Sequence, residues 1–487
     1  MNAVLKRRGL CLVFVAALSL LAHAKGLTAP LLDYHFHRQV NTASIARGYW
    51  SDSLPIQEPH IDWDGASNRL AATELPVYMW AYGKLWPLAG LGEEWGRLLS
   101  VAASLFTALL LFVFLEDEFG REAGFWGASL FSLLPVEIYF GRTVQPEATA
   151  LLALLGALAF WKRSLEPDRP WSAWTAAAFC AFIAVGLKLP YAHLFVPLAG
   201  LTWRKLGRRT LTDWRMYAAG LVSMGGVIAW YLHARNGVYV VPTHAGEYTN
   251  LLAYSRIPYF IQFQIFSRIP ELVMTYAGLV FFSLGARPVF WEKRDVFWLC
   301  WFFGVLFHLF AMSGYSHYHE YTALPLAPVA AGLMGLGVMR LREKAVSAQG
   351  NRRALGLAGL LFLLAAIPAH SALRIGHWYK QGFDFLKDAE KAADAVSAKD
   401  DLYLVNCAAA SVPLYYLNRR GWGNELDLNP ATADELVNKN ISLGAQFVAS
   451  EKRGLFAAPD GAMWKRFRAR GAPAWDDGKL VIFRLAR

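Results

Sequence analysis

GRLLSVAASLFTALLLFVFL, residues 96–115, carries a single charge, at Arg97. Twenty helical residues reach about 30 Å, the thickness of the hydrocarbon core of a bilayer. The stretch therefore reads as a transmembrane helix, and it has company on both sides. Comparable apolar runs lie at roughly 9–28, 123–141, 147–161, 172–188, 190–203, 216–233, 272–286, 296–313, 321–339 and 354–372. With 96–115 they predict a polytopic α-helical membrane protein of about eleven spans.

The composition of the 487-residue chain agrees: 55% of residues are hydrophobic and 17% charged, against about 25% charged in soluble domains. An ordinary soluble enzyme is excluded. The 19 Trp, 20 Tyr and 31 Phe suit a protein with two membrane interfaces, where aromatic rings sit at headgroup level. A net charge of +11 raises nucleic acid as a partner, but the cations lie in the connections between apolar runs, as cytoplasmic loops require. Lys6, Arg7 and Arg8 precede the first run; Lys162 and Arg163 follow the fourth; Arg204, Lys205, Arg208 and Arg209 the sixth; Lys293 and Arg294 the eighth; Arg340, Arg342, Lys344, Arg352 and Arg353 the tenth. All of these fall on one side. The predicted orientation in a plasma (inner) membrane is N-terminus cytoplasmic and C-terminus periplasmic or extracytoplasmic. Lys-Arg-Arg, an apolar region and Ala22-His23-Ala24 also resemble a cleavable signal peptide, whose removal would leave the remaining topology unchanged. Three of the four cysteines sit in apolar runs, so no disulfide framework follows.

The expected division is a membrane domain, residues 1–372, with outer loops 25–95 and 234–271, followed by an outer α/β domain at 373–487. LPVYMWAYGKLWPLAGLG (75–92) reads as helix lying in the interface. DLYLVNC (401–407), AQFVAS (445–450) and KLVIFRL (479–485) read as strands of a small, mostly parallel sheet, Thr432 with Glu435 as a capping box, and RRGWG (419–423) as a turn.

Five polar groups fall at the predicted outer face. Asp33, in PLLDYHFHR, reads as a desolvated general base or as the N-cap of the helix behind it. Glu74 precedes Leu75-Pro76 and reads as a second acid or as a helix-dipole partner. GRTVQPE (141–147) presents Arg142, Gln145 and Glu147. Lys188 lies between two apolar runs, so it snorkels or faces a polar cavity. GYSHYHEYTALP (314–325) supplies His317, His319, Glu320 and Tyr321, whose His-x-His leaves a divalent cation open as a cofactor. Carboxylates beside cations suit one reaction, in which an acceptor hydroxyl gives its proton to an acid and attacks a sugar C1. The phosphate leaving group needs positive charge rather than a general acid.

With these motifs in order, the sequence resembles the type C glycosyltransferases, in particular the bacterial branch of protein O-mannosyltransferases and lipid A aminoarabinose transferases. The resemblance spans roughly residues 1–375 and rests on Asp33 with ARGYW (46–50), ELP (74–76), GRLLSVAASL (96–105), the QPE turn and HEYTALPLAPVAAGL (319–333). It implies Asp33 as the base or as the residue that orients the acceptor, Glu74 as a second acidic position and a polyprenyl-phosphate-linked monosaccharide as donor. A lipid, glycan or protein is the implied acceptor. Membrane lipids are partners and nucleic acid is not. Leu75 stands where the aminoarabinose branch has Lys, and Gln145 where many relatives have Asp. Two other readings compete: a transporter or flippase for a lipid-linked sugar, and an envelope-assembly protein binding through 373–487.

Overall fold

The computed structural model describes residues 7–485 except 64, 66, 68–69, 236–237, 240–256 and 427–429. Lys6 and half of the expected 234–271 loop lie outside the described residues. The chain divides into two compact units, one made of Met1–Leu27, Gly96–Leu232 and Val241–Trp378, the other of Thr28–Trp95, His233–Val240 and Tyr379–Arg487.

The first unit is helical, and each of the eleven apolar runs carries helix. The runs are often interrupted, however. The 123–141 run is two helices, Arg121–Phe131 and Pro135–Phe140, and the 190–203 run begins as a tight 3-10 turn, Leu189–Leu194, before the Phe195–Leu206 helix. Pro135 and Pro190 each lack the N–H that an uninterrupted helix would use there. Arg8–His23, Trp171–Leu187 and Val296–Ala311 are apolar but only 16 or 17 residues long. Among the described residues, length and composition qualify two helical stretches to cross a membrane, Glu93–Phe119 and Gly350–Tyr379. A third qualifies if Pro258–Met274 and Tyr276–Glu292, bent by 92° to one another, form one broken span. The eleven expected spans are thus met by helices but not by eleven unbroken membrane-length ones.

The centre of this unit is the Leu326–Ser347 helix, buried from Leu326 to Val338. Its approach to neighbours relies on glycine: a Cβ at Gly337 would strike the carbonyl oxygen of Phe281, and one at Gly285 that of Leu333. Small residues let helix backbones approach closely where apolar burial alone cannot select a partner. Large apolar side chains face outward, among them Leu221, Phe307, Phe362 and Leu373.

The second unit combines the 28–95 segment with the terminal sheet. Five strands, β1 (Leu402–Asn406), β2 (Arg420–Asn424), β3 (Ala445–Glu451), β4 (Trp475–Asp476) and β5 (Leu480–Arg484), lie in the order β2-β1-β3-β5-β4. β2 and β3 run parallel to β1, while β5 is antiparallel to β3 and β4 to β5. Leu404, Val448, Val481 and Phe483 pack with Met463 and Phe467 of the Ala462–Arg470 helix to form its core. Two local expectations need correction. RRGWG is strand β2 rather than a turn, because Gly421 lies against the Tyr403 carbonyl with no room for a Cβ, the close approach that marks strand glycines. Thr432 is inside the Pro430–Ser442 helix instead of capping it, since Pro430 occupies the helix start, where a missing N–H costs nothing.

The 28–95 segment is tied to the terminal part by backbone and ring contacts. Gly382 N–H donates to Leu32 O at 2.9 Å and Gly421 N–H to Asp62 O at 3.2 Å. Leu31 N–H donates to the Tyr416 hydroxyl at 2.8 Å. The Arg47 guanidinium lies 4.3 Å from the centre of the Tyr415 ring.

Candidate active site

In the helical unit the 141–147 turn links the Pro135–Phe140 helix to Glu147–Ser164. Two serines four residues apart on the Glu93–Phe119 helix hold it: Ser100 Oγ donates to Thr143 O at 2.7 Å and Ser104 Oγ to Gly141 O at 3.1 Å. Arg142 is buried, donates to Gly26 O at 3.1 Å and lies over the Tyr139 ring at 4.9 Å. Gln145 is buried too, and neither end of its amide finds a hydrogen-bond partner among the described residues.

Glu147 opens its helix, and Lys188 leaves the C-terminus of Trp171–Leu187 in an extended conformation (φ −148°, ψ 98°). Two antiparallel helices joined by a short connection return to the side they left, so the two ends meet. The Lys188 ammonium lies 2.5 Å from Glu147 Oε1. It also sits 5.5 Å from the centre of the Tyr321 ring, within cation–π range. Tyr321 Oη bonds Tyr315 Oη at 2.7 Å, and His319 stacks on the Tyr321 ring at 5.1 Å. The nearby segment is braced by buried Arg268, which donates to His317 O at 2.9 Å and lies 3.6 Å from Glu320. The predicted residues of the 141–147, 188 and 317–321 stretches thus form linked clusters. Among the described residues no group of three or more His, Cys, Asp or Glu side chains is placed to hold a metal ion.

The second unit holds the two remaining acids. Asp33 is buried at 1% exposure, and it does not cap the following helix. That role falls to His35, in the left-handed conformation at φ 59°, so Asp33 lies two residues too early. Its Oδ1 instead accepts from Gln39 Nε2 at 2.6 Å. Glu74 pairs with Arg38 and accepts from Thr73 Oγ1 at 2.9 Å. The dipole role is also unfilled, since no acid occupies the first turn of Val77–Leu85. Both acids are therefore held by adjacent residues, Arg38 and Gln39, at the start of the Phe36–Ser51 helix. One helical turn on, Asn41 is buried with no hydrogen-bond partner for either amide atom among the described residues. Farther along, Asp62 accepts from Ser44 Oγ and Arg47 Nη2, each at 2.7 Å. The Arg47 guanidinium loses solvation by burial, but Asp62 outweighs that loss and raises its pKa.

Sequence reasoning missed Arg38, Gln39, Asn41, Ser100, Ser104 and Arg268, together with Tyr191, which is buried with its hydroxyl unpartnered among the described residues. The serines had a signal, spacing of four in an otherwise apolar helix, which puts two hydroxyls on one face. Arg268 had none, because its partners are 49 and 52 residues away.

Residues 73–233 match the family model described as dolichyl-phosphate-mannose-protein mannosyltransferase. No curated protein matches the chain in sequence. Among solved structures it is similar to ArnT from Cupriavidus metallidurans bound to undecaprenyl phosphate, at TM-score 0.62 and 15% identity over 97% of each chain. It is also similar to the oligosaccharyltransferase AglB of Archaeoglobus fulgidus in complex with an inhibitory peptide and a dolichol-phosphate, at TM-score 0.64 and 11% identity over 91% of this chain and 69% of that one. A third similar structure is the mycobacterial arabinofuranosyltransferase AftD, at TM-score 0.58 and 16% identity over 91% of this chain and 35% of that one. At such identities the likeness is one of fold. The resemblance in the sequence is upheld at that level: the chain has the type C glycosyltransferase fold, and its residues 73–233 match the dolichyl-phosphate-mannose-protein mannosyltransferase model.

Proposed function

We propose that the chain is a membrane glycosyltransferase that moves a monosaccharide from a polyprenyl-phosphate carrier to an acceptor hydroxyl on the outer face of a plasma (inner) membrane, with its N-terminus cytoplasmic. The observation that carries this reading is Asp33, a buried carboxylate that does not cap its helix and is held by Gln39. A carboxylate held in one orientation by a donor is placed to take a proton from a hydroxyl brought to its other oxygen. The fold and the 73–233 stretch support the choice of chemistry. So do the outward-facing apolar side chains of the helical unit, since large exposed apolar surface is not stable in water.

In this reaction Asp33 accepts the acceptor's hydroxyl proton, the oxygen bonds to the sugar C1, and the bond from C1 to the phosphate oxygen breaks. One displacement of this kind inverts the anomeric centre. The departing carrier phosphate gains charge, and the outer-face position that the sequence gives Lys188 and Arg142 is the ground for assigning them to offset it. Glu147 holds Lys188 in place, and Glu74 does the same for Arg38. Within the helical unit, Gln145 and Tyr191 offer polar atoms for sugar hydroxyls that have no partner among the described residues, and His317, His319, Glu320 and Tyr321 frame the Lys188 side.

Sugar transfer from a polyprenyl-phosphate donor into envelope acceptors, measured in matched membranes, tests this reading. Asp33→Asn lowers transfer by about 10²–10⁴-fold with expression unchanged. Equal transfer by both proteins removes Asp33 from the reaction. Movement of the lipid across the bilayer without any transfer replaces the enzyme by a transporter.

A further inference from the structure

Away from these clusters, the helices Trp171–Leu187, Phe195–Leu206 and Trp214–Ala234 enclose a cavity of about 380 Å³. It falls within the range of about 300–1,000 Å³ typical of small-molecule sites. Its walls are apolar, with small or aliphatic residues such as Ala177, Leu198 and Gly220 beside the rings of Trp161, Phe195 and Tyr217. The Trp214–Ala234 helix is fastened here by polar contacts that include Ser223 Oγ donating to Ala178 O at 3.0 Å, Trp174 Nε1 to Arg215 O at 3.0 Å and Arg215 Nη1 to Arg169 O at 3.2 Å. Leu221, 76% exposed, stands at the lip. Nothing fills the slot beside Gly220, where an added Cβ would meet no atom within 4 Å.

At one end of the slot the Tyr217 hydroxyl donates to Leu211 O at 3.0 Å, in the Gly207–Thr212 turn that carries Arg208 and Arg209. Both are exposed and form no ion pair among the described residues. Beside them Trp171 and Trp214 are exposed with rings 5.6 Å apart, and the Arg215 guanidinium lies 4.1 Å from the Trp171 ring centre. An apolar slot ending in free guanidinium groups and exposed indoles has the polarity of a membrane lipid, tail to headgroup.

We infer that this slot holds an acyl chain of an anionic diacyl phospholipid whose headgroup phosphate lies at Arg208 and Arg209. The carrier of the proposed reaction is a different lipid. With its phosphate at Lys188, its charge lies past the far end of the Trp171–Leu187 helix, whose 17 residues span about 25 Å. That distinction rests on the proposed reaction; the charge and shape of the slot do not.

The test uses the full chain purified in detergent, with the lipid retained measured by native mass spectrometry. Phosphatidylglycerol is retained over zwitterionic phosphatidylcholine by about tenfold or more. Gly220→Leu fills the slot and lowers phosphatidylglycerol affinity by about tenfold or more. Gly225→Leu, on the same helix where a Cβ also meets nothing within 4 Å but outside the slot, leaves retention unchanged and controls for folding. Arg208→Gln with Arg209→Gln removes the preference for phosphatidylglycerol. Retention by Gly220→Leu equal to wild type overturns the inference, as does equal retention of the two phospholipids. Displacement of phosphatidylglycerol by a polyprenyl phosphate assigns the slot to the carrier and overturns it as well.

Discussion

The Glu147–Ser164 helix has an ion cluster at each end, and the two are built differently. At its C-terminal end Glu118 accepts from Lys162, from both terminal nitrogens of Arg204 (2.8 and 2.9 Å) and from Trp298 Nε1 at 3.2 Å. Arg204 continues to Asp295 at 3.2 Å, and Asp295 caps Val296–Ala311 through Phe297 N–H at 3.0 Å. This cluster ties four helices, and its acid is saturated with donors. At the N-terminal end Glu147 meets Lys188 at 2.5 Å in an ionic contact that is not a directed hydrogen bond. Gln145 and the Tyr191 hydroxyl beside that turn are buried without partners among the described residues. Buried polar groups left unmatched cost about 1–3 kcal/mol each, so a fold retains them where a ligand supplies the missing bonds. One cluster braces helices; the other is the one that the proposed reaction assigns to substrate.

Three variants test that contrast. The largest expected effect comes from replacing both members of the open pair, Glu147→Gln with Lys188→Met, which leaves no lone buried charge. Transfer falls about 10²–10³-fold, while the thermal midpoint in detergent stays within about 3 °C of wild type. A collapse in stability would make this pair a brace like the other. Next, Glu118→Gln removes the shared acid and leaves Lys162 and Arg204 only Asp117 and Asp295, which costs about 1–3 kcal/mol, with transfer per folded molecule unchanged; loss of transfer at full stability breaks the comparison. The smallest effect is that of Tyr191→Phe, which removes a hydroxyl with no partner to lose. Transfer drops about three- to tenfold and stability does not, and the reverse pattern would give the hydroxyl a packing role.

The alternation of basic connections and apolar runs in the sequence was enough to locate helices and to bring Glu147 and Lys188 to one end of a helix pair. Which acid meets which cation was not legible, because that depends on helix rotation and on Lys188 leaving helical geometry before Pro190. Asp33 was recognisable as a candidate from its place after the first apolar run. Its release from capping was not, since it requires the left-handed turn at His35, a conformation that sequence does not announce at a non-glycine residue. The strand at RRGWG hid for a related reason: two glycines imitate a turn, and only the neighbouring Tyr403 backbone explains one of them. The interruptions that shorten many of the predicted spans follow the prolines, which were visible, but by amounts that only packing decides.

The bonds between the 28–95 segment and the terminal sheet set a timetable for biosynthesis. Arg47 and the Tyr415 carbonyl it binds are 368 residues apart, which at about 5–20 residues per second is roughly 20–70 s of translation. For that interval the early segment exists without its partner, its Leu31 amide, Leu32 carbonyl and Arg47 guanidinium all lacking the groups that later satisfy them. Contacts this distant in sequence form last and slowly. A ribosome stalled before residue 415 would therefore leave the Asp33 region exposed and open to proteolysis, and the final hundred residues complete this half of the molecule on arrival.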